Sequence, residues 1–506
     1  MRSHFAAVEK LDELQGGRVV EDADTEMNAP KGPINERRLI TSYADLVDVF
    51  GVPSALDPGM LAAADIVRAC RQLHVVRVAD PYAVAAQVVV PGPNPGEESI
   101  RFTASSAGDW ANAPRGLAVV LATGSLPGTY RLNVVYQGQI VEQYDALNVS
   151  DPAGFRYIET ELAASRYLSA EVLDTLIAPR LGTYNFAGGD SGRNVTGGDY
   201  IGSVVGGVRT GLRLLNDTNE ISLNLVAVPG VATGGVANAL LDFAETRQDC
   251  FAVIDPPFGL TAQEVADWHN GLSSDPDAPQ ARLDSSYGAM FWPWVQRISE
   301  SDGGQVFVPP SAAAIVAMCR TDAQFGPWRT AAGPQRGRLT LYSGAERRVG
   351  PEEVTTLYGG PGPAGVVNAV NVIVTNLTSG LMINGQRTLQ RAATSLDRIN
   401  NRRTLLYLRD KVGQAVKLSL FEPNDERLWN ELQARINPIL STVQTGRGLL
   451  EYLFRMDQST NPPNLQAQNI ANGLIFLRFT PTAERIQIGF VVSPQGVDFS
   501  ELVSLG

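Results

Sequence analysis

Between residues 150 and 330, short apolar runs alternate with segments whose apolar residues recur at helical spacing. The runs predict strands at 221–228, 250–255 and 290–295. The intervening and following segments predict helices at 236–247, 262–272 and 310–319. Alternation of this kind favours a sheet of parallel strands covered by helices.

The pattern changes between residues 81 and 150, where short apolar runs are separated by turn residues. It predicts five strands, at 85–90, 99–103, 116–122, 130–136 and 139–144. The last two are joined by Gln137-Gly138, and glycine suits a hairpin turn because it readily adopts positive φ. This region therefore predicts a small all-β module inserted into the α/β domain.

The two ends of the chain have their own patterns. Residues 1–30 are polar and acidic, and only Arg18-Val19-Val20 indicates a strand there, so an arm is predicted. A helix ending at Phe50, a helix at 58–71 and a strand at 74–78 follow. The last third predicts a helix from Leu389, a strand at 416–421, a helix at 426–440 capped by Asn424 or Asp425, and strands at 473–479 and 486–492.

With 506 residues, the chain is long enough for two to four domains, each with its own core. The predicted fold class is a multidomain α+β or α/β protein with sheet-and-helix core domains, a small all-β insertion and terminal arms. The predicted divisions are an N-terminal arm (1–30), a middle α/β domain (31–80 with 151–380), an inserted β-rich domain (81–150), a C-terminal α+β domain (381–485) and a C-terminal strand and arm (486–506).

Composition narrows the function classes. The net charge of −12 argues against nucleic acid as a main partner, because phosphate contacts need clustered basic residues. Cys70, Cys250 and Cys319 are far apart without metal-ligand spacing, and they are expected to be buried free thiols in a reducing cytoplasm. The sequence has no apolar run of about 18 residues, so no membrane span is predicted. Residues 1–30 do not resemble an apolar signal sequence.

Candidate chemistry is sparse. The sequence contains no Walker-type loop, no dinucleotide fingerprint and no Gly-x-Ser-x-Gly elbow. Asp255 ends a predicted strand, where open α/β sheets bind ligands, but Pro256-Pro257 after it favours a structural turn. His4, His74 and His269 are too scattered for a metal site or a triad, and His74 is expected in the core. No cofactor is expected, and an enzyme using Asp255 is only an alternative.

One segment, 387–417, is strongly basic within this acidic chain. It holds eight basic residues against Asp397 and Asp410. One interpretation is a solvated helix face. The other is a surface that matches an acidic partner, where charge complementarity sets register and selectivity. The basic residues are Arg387, Arg391, Arg398, Arg402, Arg403, Arg409, Lys411 and Lys417.

Several motifs, in order along 104–462, resemble those of one protein family. The main block contains Tyr287, Trp292-Pro293-Trp294, Pro309-Pro310, Arg320 and Asp322. Further matches are 104–112, 245–249, 254–257, 384–389, 421–424 and 461–462. Together they resemble the contractile tail sheath proteins of bacteriophages and of phage-tail-like injection machines. The Pro-Gly-Val-Tyr strand with which that family usually opens is not found in this sequence.

The resemblance implies a structural polymer and not an enzyme. Such subunits form hexameric rings stacked helically around an inner tube, and they shorten to drive the tube through a cell envelope during genome ejection or injection. The implied partners are further copies of the chain, the inner tube protein, and baseplate and tail terminator proteins, with no direct nucleic-acid contact and no membrane insertion. The implied location is the virion tail or injection particle, after assembly in the host cytoplasm. A non-contractile structural or surface-binding protein is the alternative.

The resemblance also assigns surfaces. The β-rich insertion would lie outermost and the C-terminal domain against the tube. Residues expected to face the tube are Arg387, Arg391, Arg398, Arg402, Arg403, Arg409 and Lys411. Terminal arms would add strands to neighbouring subunits through Val19, Val20, Ile486, Ile488, Phe490, Val492, Val497 and Phe499.

Overall fold

The computed structural model describes residues 22–218, 220–300, 303–359 and 368–484. All the residues predicted for strand exchange lie outside these ranges: Val19, Val20, Ile486, Ile488, Phe490, Val492, Val497 and Phe499. Their role stays a prediction.

The first described elements belong to the main sheet and to the helices that cover it. They are β1 (Asp22–Met27), β2 (Arg37–Ile40), α1 (Tyr43–Phe50), α2 (Pro58–Val67) and β3 (Gln72–Arg77). The two helices and β3 confirm the predictions for this region. The prediction of an arm at 1–30 is wrong for residues 22–27, because they form β1, which pairs in parallel with β3 and with a later strand of the main sheet.

A β-rich unit follows. Its elements are β4 (Gln87–Pro91), β5 (Glu98–Ala104), a 3-10 turn (Asp109–Ala111), β6 (Leu117–Thr123), β7 (Tyr130–Tyr136), β8 (Gln139–Leu147), α3 (Ile158–Leu162), β9 (Leu168–Val172) and β10 (Gly182–Asn185). They form two antiparallel sheets, in the orders β4-β5-β9 and β10-β6-β7-β8, around one apolar core. The Gln137-Gly138 turn has positive φ at both residues, as a tight hairpin requires.

This unit extends past the predicted boundary at residue 150. β9 pairs with β5 and β10 pairs with β6, so the chain as far as Asn185 belongs to it. The unit is also not all-β, because Ile158 and Leu162 of α3 lie in the same core. The sequence pattern hides the two late strands because both are short and half polar, and a helix separates them from the earlier strands.

The middle of the chain returns to the main sheet. Its elements are α4 (Gly197–Ile201), β11 (Val204–Val205), β12 (Val208–Arg209), a 3-10 turn (Gly211–Leu215), β13 (Leu225–Ala227), α5 (Gly234–Arg247), β14 (Phe251–Ile254), α6 (Ala262–His269), β15 (Gly288–Trp292), β16 (Val295–Ile298), β17 (Gln305–Val308), α7 (Pro310–Phe325), α8 (Gly333–Arg336), β18 (Gly344–Ala345), α9 (Pro351–Val354), a π turn (Thr355–Gly359), β19 (Val370–Asn376) and β20 (Gly380–Asn384). The predicted strand–helix alternation is confirmed.

Within the described ranges the main sheet has eight strands, in the order β2-β3-β1-β13-β14-β15-β19-β20. The six inner strands are parallel, and the two edge strands are antiparallel to their neighbours. Alternate residues of the inner strands point to opposite faces, which are packed by different helices. Helices α2 and α7 cover one face, and α5 and α6 cover the other. Such double cover is typical of parallel sheets.

A disulfide joins the two helices on one face. Cys70, just after α2, is bonded to Cys319 of α7, and their Cα atoms are 5.5 Å apart. The prediction of free thiols is therefore wrong for these two residues. They are separated by 249 residues in sequence, so spacing could not pair them, and only the packing of α2 on α7 brings them together. Cys250 is buried, as predicted, and keeps its thiol.

The C-terminal unit contains α10 (Ile399–Lys417), α11 (Glu426–Thr445), β21 (Leu449–Arg455), α12 (Pro463–Gln466) and β22 (Leu474–Phe479). The helix predicted from Leu389 begins ten residues later, because the Leu389 N–H donates to the Gly288 carbonyl and fixes this stretch along β15. The strand predicted at 416–421 is wrong, because α10 continues to Lys417. Asp425 caps α11 by accepting from the Leu428 N–H at 3.0 Å.

Candidate functional site

The carboxyl end of β14, where an open α/β sheet can bind a ligand, is occupied by the protein's own motif residues. Asp255 follows β14 and is buried. Its carboxylate accepts from the Ser311 N–H at 2.7 Å, the Ser311 hydroxyl at 2.6 Å and the Gly230 N–H at 3.1 Å. Ser311 lies in the first turn of α7, whose N–H groups have no intrahelical partners. Asp255 therefore caps α7 from a neighbouring strand.

Burial sets the charge state of this cap. It raises the pKa of Asp255 to about 6, although the bonds from Ser311 and Gly230 act in the opposite direction. A raised pKa can mark a catalytic acid. In this case both carboxylate oxygens are bonded to structural donors, so the arrangement supports anchoring of α7 more directly than catalysis.

The Trp-Pro-Trp segment packs against the same edge. Trp292 ends β15 and is fully buried, and its peptide bond to Pro293 is cis. The Trp294 indole N–H donates to the Pro256 carbonyl at 3.0 Å. Phe258 meets the Trp294 ring edge-on, with centroids 5.4 Å apart. The Trp-Pro-Trp segment and the segment that follows Asp255 therefore pack together as one corner at the carboxyl end of β14.

Two prolines start the helix that this corner anchors. Pro309 is the N-cap residue of α7, and Pro310 is its first helical residue. Proline suits the first helical position, where its missing N–H costs no hydrogen bond. The Pro-Pro-Ser motif thus begins α7 at the point where Asp255 caps it.

The Arg-Thr-Asp motif joins the main sheet to the C-terminal unit. Asp322 of α7 forms a bidentate ion pair with Arg403 of α10, in which one nitrogen–oxygen distance is 3.0 Å. Both side chains are buried. Burial raises the pKa of Asp322, and the Arg403 charge opposes that rise. Arg320 donates to the carbonyl of Arg338. The motif therefore holds α7 in place on two sides.

The basic segment does not form a single exposed face. Arg402 is buried, with its guanidinium 4.1 Å from the centre of the Tyr287 ring and a hydrogen bond to the Ser286 hydroxyl. Arg403 is buried against Asp322. The prediction of a tube-facing role is therefore wrong for Arg402 and Arg403. A count of charges along the sequence could not reveal that the first turn of α10 packs against the main sheet domain.

Two further arginines of the segment are already paired. Arg398 lies 2.9 Å from Asp397 and also donates to Glu484. Arg387 lies 3.9 Å from Asp397, and its guanidinium is 5.3 Å from the Tyr358 ring centre. Both side chains are only partly exposed and lie near a carboxylate, so they should attract an acidic partner less strongly than a count of charges in the sequence predicts.

The accessible part of the basic segment is smaller. Arg391 and Arg409 are exposed, and Arg409 donates to the Gln248 side chain at 2.6 Å. Lys411 is partly exposed, 3.2 Å from Asp410. For Arg391, Arg409 and Lys411 a contact with an acidic partner stays a prediction.

The C-terminal unit carries apolar surface that sequence reasoning missed. β21 and β22 form a two-stranded antiparallel sheet, and β21 was not predicted. One face packs on the core around α11. The other exposes apolar side chains, including Leu453 at 57% and Phe476 at 53%. An apolar cleft between α10 and β22 lies beside this sheet. The available signal was the density of large apolar residues in β21, although they do not alternate with polar residues as they do in a strand covered on one face.

Other kinds of site are not indicated. Among the described residues, no group of three or more His, Cys, Asp or Glu side chains is placed to hold a metal ion. No helix in the described ranges is both long and apolar enough to cross a bilayer. His269 is buried, and burial lowers its pKa to about 3; His74 is half-buried, with its pKa lowered to about 4. Both histidines therefore favour the neutral form.

Comparison with known sequences finds tail sheath proteins of phages. No family model matches the chain. The tail sheath protein of Vibrio phage KVP40 is 25% identical over 343 residues, which are 64% of this chain and 48% of that protein. The chain thus spans about half the length of the curated relatives it matches.

Comparison with solved structures covers more of the chain. The sheath tail protein of Listeria innocua superposes with a TM-score of 0.60 at 12% identity, over 88% of this chain and 90% of that one. The sheath complex of an extracellular contractile injection system, PVC, in its contracted state gives a TM-score of 0.56 at 13% identity over 99% of both chains. The chain therefore has the fold of these sheath proteins.

Proposed function

Because the chain resembles contractile tail sheath proteins in sequence and in fold, we propose that it is a subunit of a contractile sheath. It assembles as hexameric rings stacked helically around an inner tube, and it contracts to drive the tube through a cell envelope. The observation that carries the proposal is the shared fold over nearly the whole of both chains, including a sheath solved in its contracted state. The sequence relation to a phage tail sheath protein supports it independently.

The internal chemistry of the chain suits a mechanical part. The motif residues Asp255, Trp294 and Asp322 are bonded within the subunit, and Asp255 and Asp322 fix α7 to the sheet and to α10. A rigid body of this kind can be moved against its neighbours without unfolding. The work of contraction then comes from release of a kinetically trapped array into a better-packed one, which fits a sequence without a nucleotide-binding motif.

The links between subunits are proposed to run through the C-terminal unit. The sheet β21–β22 has only two strands in the described part of the chain, so each strand offers an outer edge. A strand added to such an edge gains main-chain hydrogen bonds that can persist while other contacts slide. The terminal arms, with Val19, Val20 and the apolar residues from Ile486 to Phe499, are the proposed donors.

Tube binding is proposed to use the exposed basic residues that remain. Reversal of Arg391 and Arg409 to Glu should reduce assembly templated by the tube protein, because an acidic partner would then meet like charge. Arg427→Glu on α11 is the control, since this arginine is also exposed and pairs with Glu431 one turn along its own helix. Equal assembly of all variants would contradict this contact.

Negative-stain microscopy of the purified chain, alone and with its tube protein, tests the function itself. Long hollow striated tubes are expected. Particles of uniform diameter that never shorten would favour a non-contractile structural protein. Discrete globules at every salt and protein concentration would overturn the proposal.

A further inference from the structure

Glu484 lies five residues beyond β22 and returns to the base of α10. Its carboxylate accepts from the Gln386 side-chain amide at 3.0 Å and from the Arg398 guanidinium. Arg398 is the residue that precedes the first turn of α10, and it is also paired with Asp397. The end of the described chain is therefore tied to two elements outside the β21–β22 sheet.

Glu484, Gln386 and Arg398 form a clamp, and its two donors are themselves held in place. Gln386 is buried, and its side-chain oxygen accepts from the Thr330 hydroxyl at 2.5 Å. The Gln386 backbone N–H donates to the Tyr358 hydroxyl at 3.1 Å. Because Gln386 is held by the main sheet domain and Arg398 is held by Asp397, Glu484 has a preorganised site and not a chance surface pairing.

The position of the clamp matters because of the direction in which β22 runs. Phe479, at the end of β22, pairs with Leu449, and the Thr480 N–H donates to the Gly448 carbonyl at 3.1 Å. Without the Glu484 contacts, a pull on the chain after residue 484 would open these bonds one at a time, starting from Thr480. Among the described strands β22 pairs with β21 alone, so such peeling meets a single ladder of hydrogen bonds in addition to the side chains packed on α11.

We propose that Glu484 is the anchor through which tension on the C-terminal segment passes to α10 and the main sheet, bypassing β22. The inference rests on the proposed function, because only an assembled subunit has its C-terminal segment held by a neighbour. In the free subunit the clamp carries no tension. In a polymer it keeps β22 paired with β21 while subunits rotate against each other.

Hydrogen exchange of the β22 amides, 474–479, tests the anchor in the full chain, free and polymerised. Glu484→Ala should speed their exchange at least ten-fold in the polymer and much less in the free subunit. Glu484→Gln, which keeps the shape but loses the charge, should give an intermediate effect. The control is Glu451→Ala, which removes the same charge from an exposed pair with Arg478 on the same sheet.

The outcomes separate the two proposals. If the unaltered chain never polymerises, the proposed function fails. If it polymerises, and Glu484→Ala exchanges no faster than Glu451→Ala, the anchor is wrong while the function stands. An equal acceleration in free and polymerised Glu484→Ala would also overturn the anchor, because a purely local structural contact behaves in that way.

Discussion

The eight-stranded sheet and the two-stranded sheet of the C-terminal unit satisfy their surfaces in opposite ways. In the large sheet both faces are covered by helices, and the polar motif residues Asp255 and Asp322 find partners within the chain. In the small sheet one face is covered, and Leu453 and Phe476 remain exposed on the other. The first region is complete as a folded body. The second leaves apolar side chains that the described part of the chain does not cover.

Removing one partner of the buried ion pair should show how far the large sheet depends on its internal charges. Arg403→Ala is expected to lower the free energy of unfolding by about 3–5 kcal/mol, because it leaves the Asp322 charge buried without its partner. Urea unfolding measures the loss. Arg427→Ala, in an exposed pair, should change it by less than about 1 kcal/mol. Similar losses in both variants would contradict the assignment.

Opening the disulfide should weaken the same region somewhat less. Reduction, or Cys319→Ser, is expected to cost about 2–4 kcal/mol, because the bond between Cys70 and Cys319 restricts a very long loop in the unfolded chain. Thermal unfolding with and without reductant measures this. Reductant should have no effect on Cys319→Ser, and a reductant-insensitive parent chain would show that the bond does not form.

The cap on α7 predicts a pH dependence. The pKa of Asp255 is raised to about 6, so its contribution to stability is present at low pH and lost as the pH rises through 6. When the pH is lowered from 7 to 4, the free energy of unfolding of the parent chain should therefore rise by about 2–3 kcal/mol relative to that of Asp255→Asn. Denaturant unfolding of both proteins at each pH gives the difference. A difference independent of pH would exclude the raised pKa.

Substitutions on the open face of the small sheet should have the smallest effect on the free subunit. Leu453→Ser with Phe476→Ser is expected to change the free energy of unfolding by about 0.5 kcal/mol or less per site, as is usual for exposed positions. Assembly into tubes should nevertheless be lost. Light scattering and microscopy measure assembly, and normal polymers from this variant would show that the face is not an interface.

The two regions also differ in how well their sequences predict them. Strands such as β14 and β15 are uniformly apolar and could be placed, because a strand buried on both faces needs no alternation. β1 was missed because its sequence, Asp-Ala-Asp-Thr-Glu-Met, is polar although it lies between two parallel strands. β21 was missed because apolar residues occur on both of its sides.

The candidate site was predictable in its residues but not in its connections. The motif positions Trp292, Pro310 and Asp322 were identified from the sequence, and the structure places Pro310 and Asp322 in α7 and Trp292 at the end of β15. That Asp322 binds Arg403 could not be read, because the partner lies 81 residues away on an element whose packing is set by tertiary contacts. For the same reason the basic segment was overestimated as a surface.

The central place of β1 has a consequence for how this polypeptide is made. A ribosome releases residues 22–27 long before β13, one of the two neighbours of β1, which emerges about 200 residues later. During synthesis β1 therefore has an unpaired edge until β13 emerges. Such non-local pairing is slow, and the exposed edge favours aggregation unless a chaperone covers it. A deletion reaching Met27 would leave β3 and β13 facing an empty slot, and such products should aggregate.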